Sequence, residues 1–252
     1  MNRLIGVIHL PPLPGAPRFS GAMELETARR DAHELAQAGF DAVIVENFGD
    51  APFFPDNVPA TTVAAMTAAV LAVKDAVAIP VGVNVLRNDG LAALGIAAAT
   101  GASFVRVNVY TGTMTTDQGT ITGRAAEITR LRAQLGVEVD IYADVLVKHA
   151  VPPPGTSMEN VVADAVKRGL ADAVIVTGDA TGAPADRDML RRAASSSGDA
   201  PVLVGSGATE ENIAEILEVA QGAIVGTSLK VDGVTTKPVD PARAAAFVKA
   251  AH

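Results

Sequence analysis

The sequence predicts an α/β protein folded as a single (β/α)8 TIM barrel. Three observations carry that expectation. Runs rich in Val and Ile alternate without a break with longer Ala/Leu/Glu/Arg stretches of helical period, giving eight βα units. The 252 residues match what one such barrel needs. Near the end of the chain two glycine-hydroxyl loops, Gly205-Ser206-Gly207 and Gly226-Thr227-Ser228, each follow a short β-branched run. Paired loops at that place suit a phosphate held by the last two strands of a barrel.

In chain order the strands are expected over residues 3–9, 42–46, 81–85, 104–108, 139–146, 173–177, 202–204 and 223–225. The helices are expected over 24–38, 59–76, 89–100, 124–135, 157–168, 185–196, 209–219 and 240–251. Gly39, Gly101, Gly136, Gly169 and Gly222 follow helices, where a left-handed residue closes the last turn. Strand-to-helix connections are long and polar, at 10–23, 47–58, 109–123 and 148–156, whereas helix-to-strand connections are short. That asymmetry places the elaborated loops, and hence a site, at the C-terminal face. No linker divides the chain, so residues 1–252 read as one domain.

Composition narrows the function. Lys and Arg number 20 against 28 Asp and Glu, a net charge of −8 with no basic block, so nucleic acid is not an expected partner. Cysteine is absent, which excludes disulfides, thiolate metal sites and a thiol nucleophile. The apolar stretch 63–79 is interrupted by Lys74 and Asp75, which argues against membrane insertion. The N-terminus reads as a first strand rather than a signal segment, and the chain as cytoplasmic. Nothing in the composition decides between a monomer and a homo-oligomer.

Strand alternation says which side chains enter the barrel. In the fifth strand Ile141, Ala143, Val145 and Val147 suit the helix layer, leaving Asp140, Tyr142, Asp144, Leu146 and Lys148 inside. In the fourth, Val105, Val107 and Val109 face helices, and Phe104, Arg106, Asn108 and Tyr110 point inward. An inward Arg106 requires a carboxylate, from Asp144 or Glu46, because an unpaired buried charge costs several kcal/mol. The polar groups gathered at the strand ends are then His9, Glu46, Asn47, Asn84, Arg106, Asn108, Asp144, Lys148, His149, Thr177 and Asp179. Each also has a structural reading: Glu46 and Asp144 as counter-ions of Arg106, Asn84 and Asn108 as loop ties, Lys148 as a solvated charge.

Several blocks together resemble the BtpA/SgcQ family. They are Gly6-Val7-Ile8-His9-Leu10-Pro11-Pro12-Leu13-Pro14-Gly15, Val45-Glu46-Asn47-Phe48-Gly49-Asp50, Gly82-Val83-Asn84-Val85-Leu86-Arg87-Asn88-Asp89, Arg106-Val107-Asn108-Val109, Thr116-Asp117-Gln118-Gly119, Asp144-Val145-Leu146-Val147-Lys148-His149-Ala150, Thr181-Gly182 and the two C-terminal loops. The resemblance implies a barrel related to ribulose-phosphate-binding barrels. It brings with it a family role in photosystem I biogenesis, and members in sugar-related operons. Some members carry a phosphoribosylanthranilate isomerase label. That isomerase uses a Cys at the end of strand one and an Asp at the end of strand five; here His9 and Asp144 stand there, and the label does not suit a chain without cysteine.

Two functions follow as expectations. In the first, the chain is an enzyme that works by acid/base proton transfer on a small phosphorylated sugar- or nucleotide-like compound. Gly205, Ser206, Gly207, Gly226, Thr227 and Ser228 hold phosphate; His9, Asp144, Glu46 and Lys148 are the catalytic candidates, Lys148 including a Schiff-base role. Asn47, Asn84, Arg106, Asn108, Thr177 and Asp179 contact substrate. In the second, the same barrel binds a ligand or assists assembly of a membrane complex without turnover. No cofactor is expected. A divalent-metal variant, a hydrolase or lyase, would draw ligands from His9, Glu46, Asp144, His149 and Asp179, although no local metal-binding spacing exists.

Overall fold

The computed structural model describes residues 3–147, 149–178 and 187–252. Lys148, Asp179 and the Thr181-Gly182 pair therefore lie outside the described residues, as do the first two positions expected for the sixth helix. Eight parallel strands close the barrel: β1 (Arg3–His9), β2 (Ala42–Glu46), β3 (Val81–Asn84), β4 (Phe104–Val107), β7 (Asp140–Val145), β9 (Ala173–Val176), β10 (Val202–Val204) and β11 (Gly222–Val225). Their order around the barrel is β1-β11-β10-β9-β7-β4-β3-β2. Among the described residues eight helices surround them: α1 (Glu26–Ala38), α2 (Ala60–Ala76), α3 (Gly90–Thr100), α4 (Ala125–Leu135), α5 (Met158–Ala163), α6 (Arg187–Ser196), α7 (Ile213–Leu217) and α8 (Pro241–Ala251).

The alternation of side chains builds two cores. Ile5, Val7, Ile44, Phe104, Tyr142, Ile175, Leu203 and Ile224 fill the barrel, while Leu4, Val43, Val83, Val105, Ile141 and Val174 pack under the helices. Phe104 stacks on Tyr142 with ring centroids 4.8 Å apart. Gly82 makes room for that stack, because a Cβ there would stand 2.2 Å from the Phe104 ring. Burying one such aromatic stabilises the fold by roughly 2–3 kcal/mol.

Alternation fails where the strands end. Tyr110, expected inside the barrel, packs in the helix layer and donates its hydroxyl to the Gly169 carbonyl. Leu146, also expected inside, takes a positive φ of 50° and packs against the outer core. Val109 and Val147 leave the helix layer as well, and cluster with Met114 and Ile121. Met114 and Ile121 belong to the stretch expected as a connection, which is not loop throughout. Three short strands, β5 (Thr113–Thr116), β6 (Gly119–Thr122) and β8 (Ala150–Val151), form an antiparallel sheet beyond the barrel.

Two of the five glycines after helices do not act as left-handed caps. Gly39, Gly101 and Gly136 do, but Gly169 has φ −84° and the positive φ passes to Leu170. Gly169 is required for space, since a Cβ would meet the Ala165 carbonyl at 2.7 Å and the Tyr110 ring at 2.8 Å. Gly222 opens β11, where a Cβ would stand 2.2 Å from the Arg3 carbonyl oxygen. The helix expected from 209 begins only at Ile213 and runs for five residues.

Candidate functional site

A cavity of about 670 Å3 opens at the C-terminal mouth of the barrel. Both glycine loops line it, as do His9, Glu46, Arg106, Asn108 and His149. Ordinary pleating brings these groups together: His9 pairs in register with Glu46, Glu46 with Asn84, and Asn84 with Arg106. Adjacent strand ends thus deliver their inward side chains to one level of the barrel.

Arg106 is buried and held by Asp144 in a two-pronged ion pair, Nε to Oδ1 at 3.0 Å and Nη2 to Oδ2 at 2.9 Å. Asn108 Nδ2 donates to the same Oδ2 at 2.8 Å. Burial opposes the guanidinium charge, but Asp144, helped by Glu46, outweighs it and raises the Arg106 pKa. Of the readings open to Asp144, the structure shows the counter-ion. Its carboxylate is enclosed, accepts three N–H groups and is not on the cavity wall. Asp144 borders instead a separate cavity of about 250 Å3, together with Asn108 and Ser157.

His9 and Glu46 do reach the cavity. His9 Nε2 lies 3.9 Å from Glu46 Oε1, and the ring meets Phe48 edge-on at 4.9 Å between centroids. Gly226 permits this placement, because a Cβ there would stand 2.6 Å from His9 Cε1.

The phosphate loops differ in detail from the expectation. The Gly205 N–H is taken up by the Val176 carbonyl at 2.8 Å, so Gly205 offers no donor. Its use is spatial: a Cβ would collide with Ile175 and Thr177 and stand 3.3 Å from Arg106 Nη2. Among the described residues, the N–H groups of Ser206, Gly207, Ala208, Gly226, Thr227 and Ser228 have no protein acceptor. Gly207 turns the first loop with φ +74°. The Ser228 hydroxyl donates to the Ala208 carbonyl at 2.8 Å and ties the two loops together, while Thr227 shares a hydrogen bond with Thr235 at 2.9 Å. The Ser206 hydroxyl is enclosed and has no hydrogen-bond partner among the described residues. A helix dipole adds little at this place, since α7 is a single short stretch starting six residues after Gly207.

Other expected contacts lie behind the wall. Asn47 Oδ1 accepts from the Leu86 N–H at 2.7 Å and its Nδ2 donates to Asp50 at 3.0 Å. Asn84 Nδ2 donates to the Arg106 carbonyl at 3.0 Å and to Asn108 Oδ1 at 3.1 Å. Thr177 is buried next to Gly205. These three therefore support the site rather than line it. Among the described residues no three His, Asp or Glu side chains are grouped to hold a metal ion, so the metal variant has no ligand set there.

Further wall residues, Arg87, Asp117 and Gln118 among them, carry no periodic signal in the sequence. Arg87, just beyond β3, is 7% exposed and lines the cavity. Asp117 and Gln118 reach it from the β5–β6 turn. The only sequence signal was the presence of Arg87 and of Asp117-Gln118 in quoted family blocks.

Fold and site together define a (β/α)8 barrel with a glycine-walled cavity at its C-terminal mouth, where charged and polar side chains stand among apolar ones. The chain belongs to the BtpA family, whose model matches residues 1–252. It is 47% identical over 251 residues to the photosystem I biogenesis protein BtpA of Synechocystis sp., covering 99% of this chain and 88% of that protein. Among solved structures it resembles a Mycobacterium tuberculosis tryptophan synthase chain, with TM-score 0.65, 19% identity and coverage of 99% and 92%. A second is the N-(5'-phosphoribosyl)anthranilate isomerase of Pyrococcus furiosus, with TM-score 0.56, 18% identity and coverage of 99% and 98%. Both structural likenesses concern the fold. No helix among the described residues is long and apolar enough to cross a membrane.

Proposed function

We propose that this chain is an enzyme acting by proton transfer on a small phosphorylated, sugar- or nucleotide-like compound. The observation that carries the reading is that six residues of two tied loops, whose amide N–H groups have no acceptor among the described residues, line the cavity that also holds His9 and Glu46. Amide N–H groups at close-approach loops suit a phosphate, and the Ser206 hydroxyl gains a partner when one is bound. His9 takes and returns the proton, and Glu46 at 3.9 Å offsets the charge the ring acquires. Arg106 supplies positive charge, with Asp144 and Asn108 positioning it. Lys148 as a catalytic candidate and Asp179 as a substrate contact remain proposals from the sequence, both lying outside the described residues.

The test is calorimetric binding of phosphosugars and nucleotides to the wild type and to Gly207→Asp, followed by turnover assays on each ligand that binds. The variant places a carboxylate where the phosphate sits, so affinity should fall at least about tenfold. Unchanged affinity in a folded variant removes the phosphate grip. A ligand-binding or assembly role without turnover is the competing reading, favoured by the name of the Synechocystis relative. Binding with no chemical change in any ligand would decide for it.

A further inference from the structure

The chemistry of the cavity wall changes in order around the barrel rim. β10 and β11 lead into the phosphate loops, β1 ends in His9, and β2 and β3 follow. Beyond β2 and β3 an apolar stretch joins Glu46 and Arg87 on the wall: Phe48 and Phe53 from the connection after β2, and Leu86 just after β3.

Phenylalanine is unevenly placed in this chain. Of the seven, Phe40, Phe104 and Phe247 are buried, whereas Phe19, Phe48, Phe53 and Phe54 keep exposed surface. All four lie in the connections that leave β1 and β2 at the C-terminal mouth. A single exposed apolar side chain needs no explanation, but two aromatic side chains on the wall of one cavity make a surface for a ligand to cover.

The segment that carries them is fixed at both ends. The Gly49 N–H donates to the Leu10 carbonyl at 3.0 Å, and the Asp50 carboxylate accepts from the Leu13 N–H at 2.8 Å and from Asn47 Nδ2 at 3.0 Å. Gly49 seats the turn on the first connection, where a Cβ would stand 2.3 Å from the Pro12 nitrogen. At the other end the Phe54 carbonyl accepts from the Arg87 N–H at 3.0 Å. An aromatic surface ordered before binding loses little entropy when a ligand covers it.

The cavity also limits what can lie there. Its volume of about 670 Å3 falls within the roughly 300–1,000 Å3 of pockets that enclose drug-sized ligands, which leaves room beyond a phosphate and a reacting carbon. Sugar hydroxyls set against Phe48, Phe53 and Leu86 would leave water without gaining hydrogen bonds from those side chains, at a cost in free energy. A flat unsaturated ring has no such cost and gains contact with the phenyl groups.

We propose that the ligand carries a planar unsaturated ring, of nucleobase or aryl type, which lies against Phe48 and Phe53 while its phosphate occupies the loops after β10 and β11. The Phe48 ring meets the His9 ring edge-on at 4.9 Å between centroids, so a group held on Phe48 brings the atom bonded to it close to the imidazole. The reacting atom then lies between ring and phosphate. The substrate class narrows from phosphorylated sugars in general to phosphates that bear a planar ring. This rests on the phosphate reading above.

The experiment measures dissociation constants by calorimetry for ribose 5-phosphate, AMP, UMP and adenosine. The proteins are the wild type, Phe53→Leu, a Phe48→Leu and Phe53→Leu double variant, and Gly207→Asp, each checked for folding by circular dichroism. The three phosphates carry the same charged group, so comparing them isolates the ring. In the wild type AMP, UMP or both should bind at least about tenfold tighter than ribose 5-phosphate. Preference for one nucleotide alone also supports the proposal and gives the size of ring. Leucine keeps the wall apolar but removes the aromatic face, so the preference should fall at least about fivefold in the double variant and at least about twofold in Phe53→Leu. The single variant carries the test if the double variant does not fold. A wild-type preference under about tenfold for both nucleotides, or smaller falls than these, would overturn the proposal. If adenosine binds as tightly as AMP and Gly207→Asp leaves both unchanged while the leucine variants weaken both, the phosphate reading falls and the aromatic wall stands. If Gly207→Asp weakens all three phosphates and the leucine variants keep the preference, the aromatic wall falls and the phosphate reading stands. Absence of binding by all four compounds overturns both.

Discussion

Lys230 and Asp31, 199 positions apart in the chain, form a buried ion pair with Nζ 2.7 Å from Oδ2. Asp31 Oδ1 also accepts from the Val239 N–H at 3.0 Å. The pair fastens α1 to the segment that leaves the second phosphate loop, and so closes the barrel where its two ends meet. Burial lowers the Lys230 pKa and Asp31 acts against that shift. Removing one partner leaves the other charge buried alone. We expect Lys230→Met to lower unfolding free energy by about 3–5 kcal/mol, and Lys230→Met with Asp31→Leu by clearly less. Urea titration of both variants and of Asp31→Leu checks this; a double-variant loss equal to the sum of the two single losses would mean that the pair is not coupled.

Tyr110 gives a prediction in alkali. Burial pushes its hydroxyl up to about 12, with smaller opposing and supporting effects from Arg132 and Asp172. In the unfolded chain the phenol ionises near pH 10, so between pH 10 and 12 unfolding releases a proton and stability falls as pH rises. The loss grows by about 1.4 kcal/mol per pH unit, toward 2–3 kcal/mol. Tyr110→Phe lacks this titration. It should be less stable near pH 8, through loss of the bond to the Gly169 carbonyl, and approach the wild type by pH 11. Parallel unfolding curves at the two pH values would count against the burial of the phenol.

What the sequence made legible follows the reach of its periodicities. Arg3–His9, Ala42–Glu46 and Val202–Val204 have the expected limits, because a strand declares itself through alternation. The Arg106–Asp144 pair was readable for the same reason, since both residues lie on or beside strands whose alternate positions are apolar. Arg87 was not, because it sits beyond β3, where the chain follows hydrogen bonds that Asn47 and Asp89 accept and Asn88 donates, and no period applies. The 113–122 hairpin is built of Thr, Gly and polar turn residues around Met114 and Ile121, a composition shared with loops. Lys230 and Asp31 carry no local signal at all, their partnership being a product of barrel closure.

Asp144→Asn separates charge from shape. The amide is nearly isosteric, but it presents an N–H2 group where the carboxylate receives Arg106 and Asn108. Arg106 then keeps its buried charge without a counter-ion at hydrogen-bond distance. We expect a loss of about 3–5 kcal/mol of stability, read as a lower urea midpoint with an unchanged slope. A loss under about 1 kcal/mol would show that water reaches the pair and that the cavity floor is wetter than its geometry implies.

Gly226 and His9 supply the sharpest test of how the site is built. A Cβ on Gly226 would stand 2.6 Å from His9 Cε1 and 3.2 Å from Nε2, so Gly226→Ala must displace the ring. The backbone N–H groups of the loop survive the substitution, and phosphate affinity should change by no more than about threefold, under about 1 kcal/mol. The displaced ring loses its 3.9 Å relation to Glu46 and its edge contact with Phe48. The chain has four histidines, so carbon-detected imidazole spectra resolve the effect residue by residue. We expect the His9 resonances to move while those of His33, His149 and His252 stay within a few hundredths of a ppm, a size set by the local ring and charge contacts. An unmoved His9 signal would place the ring away from Gly226, and would separate the proton-moving pair from the phosphate loop that is meant to hold its substrate.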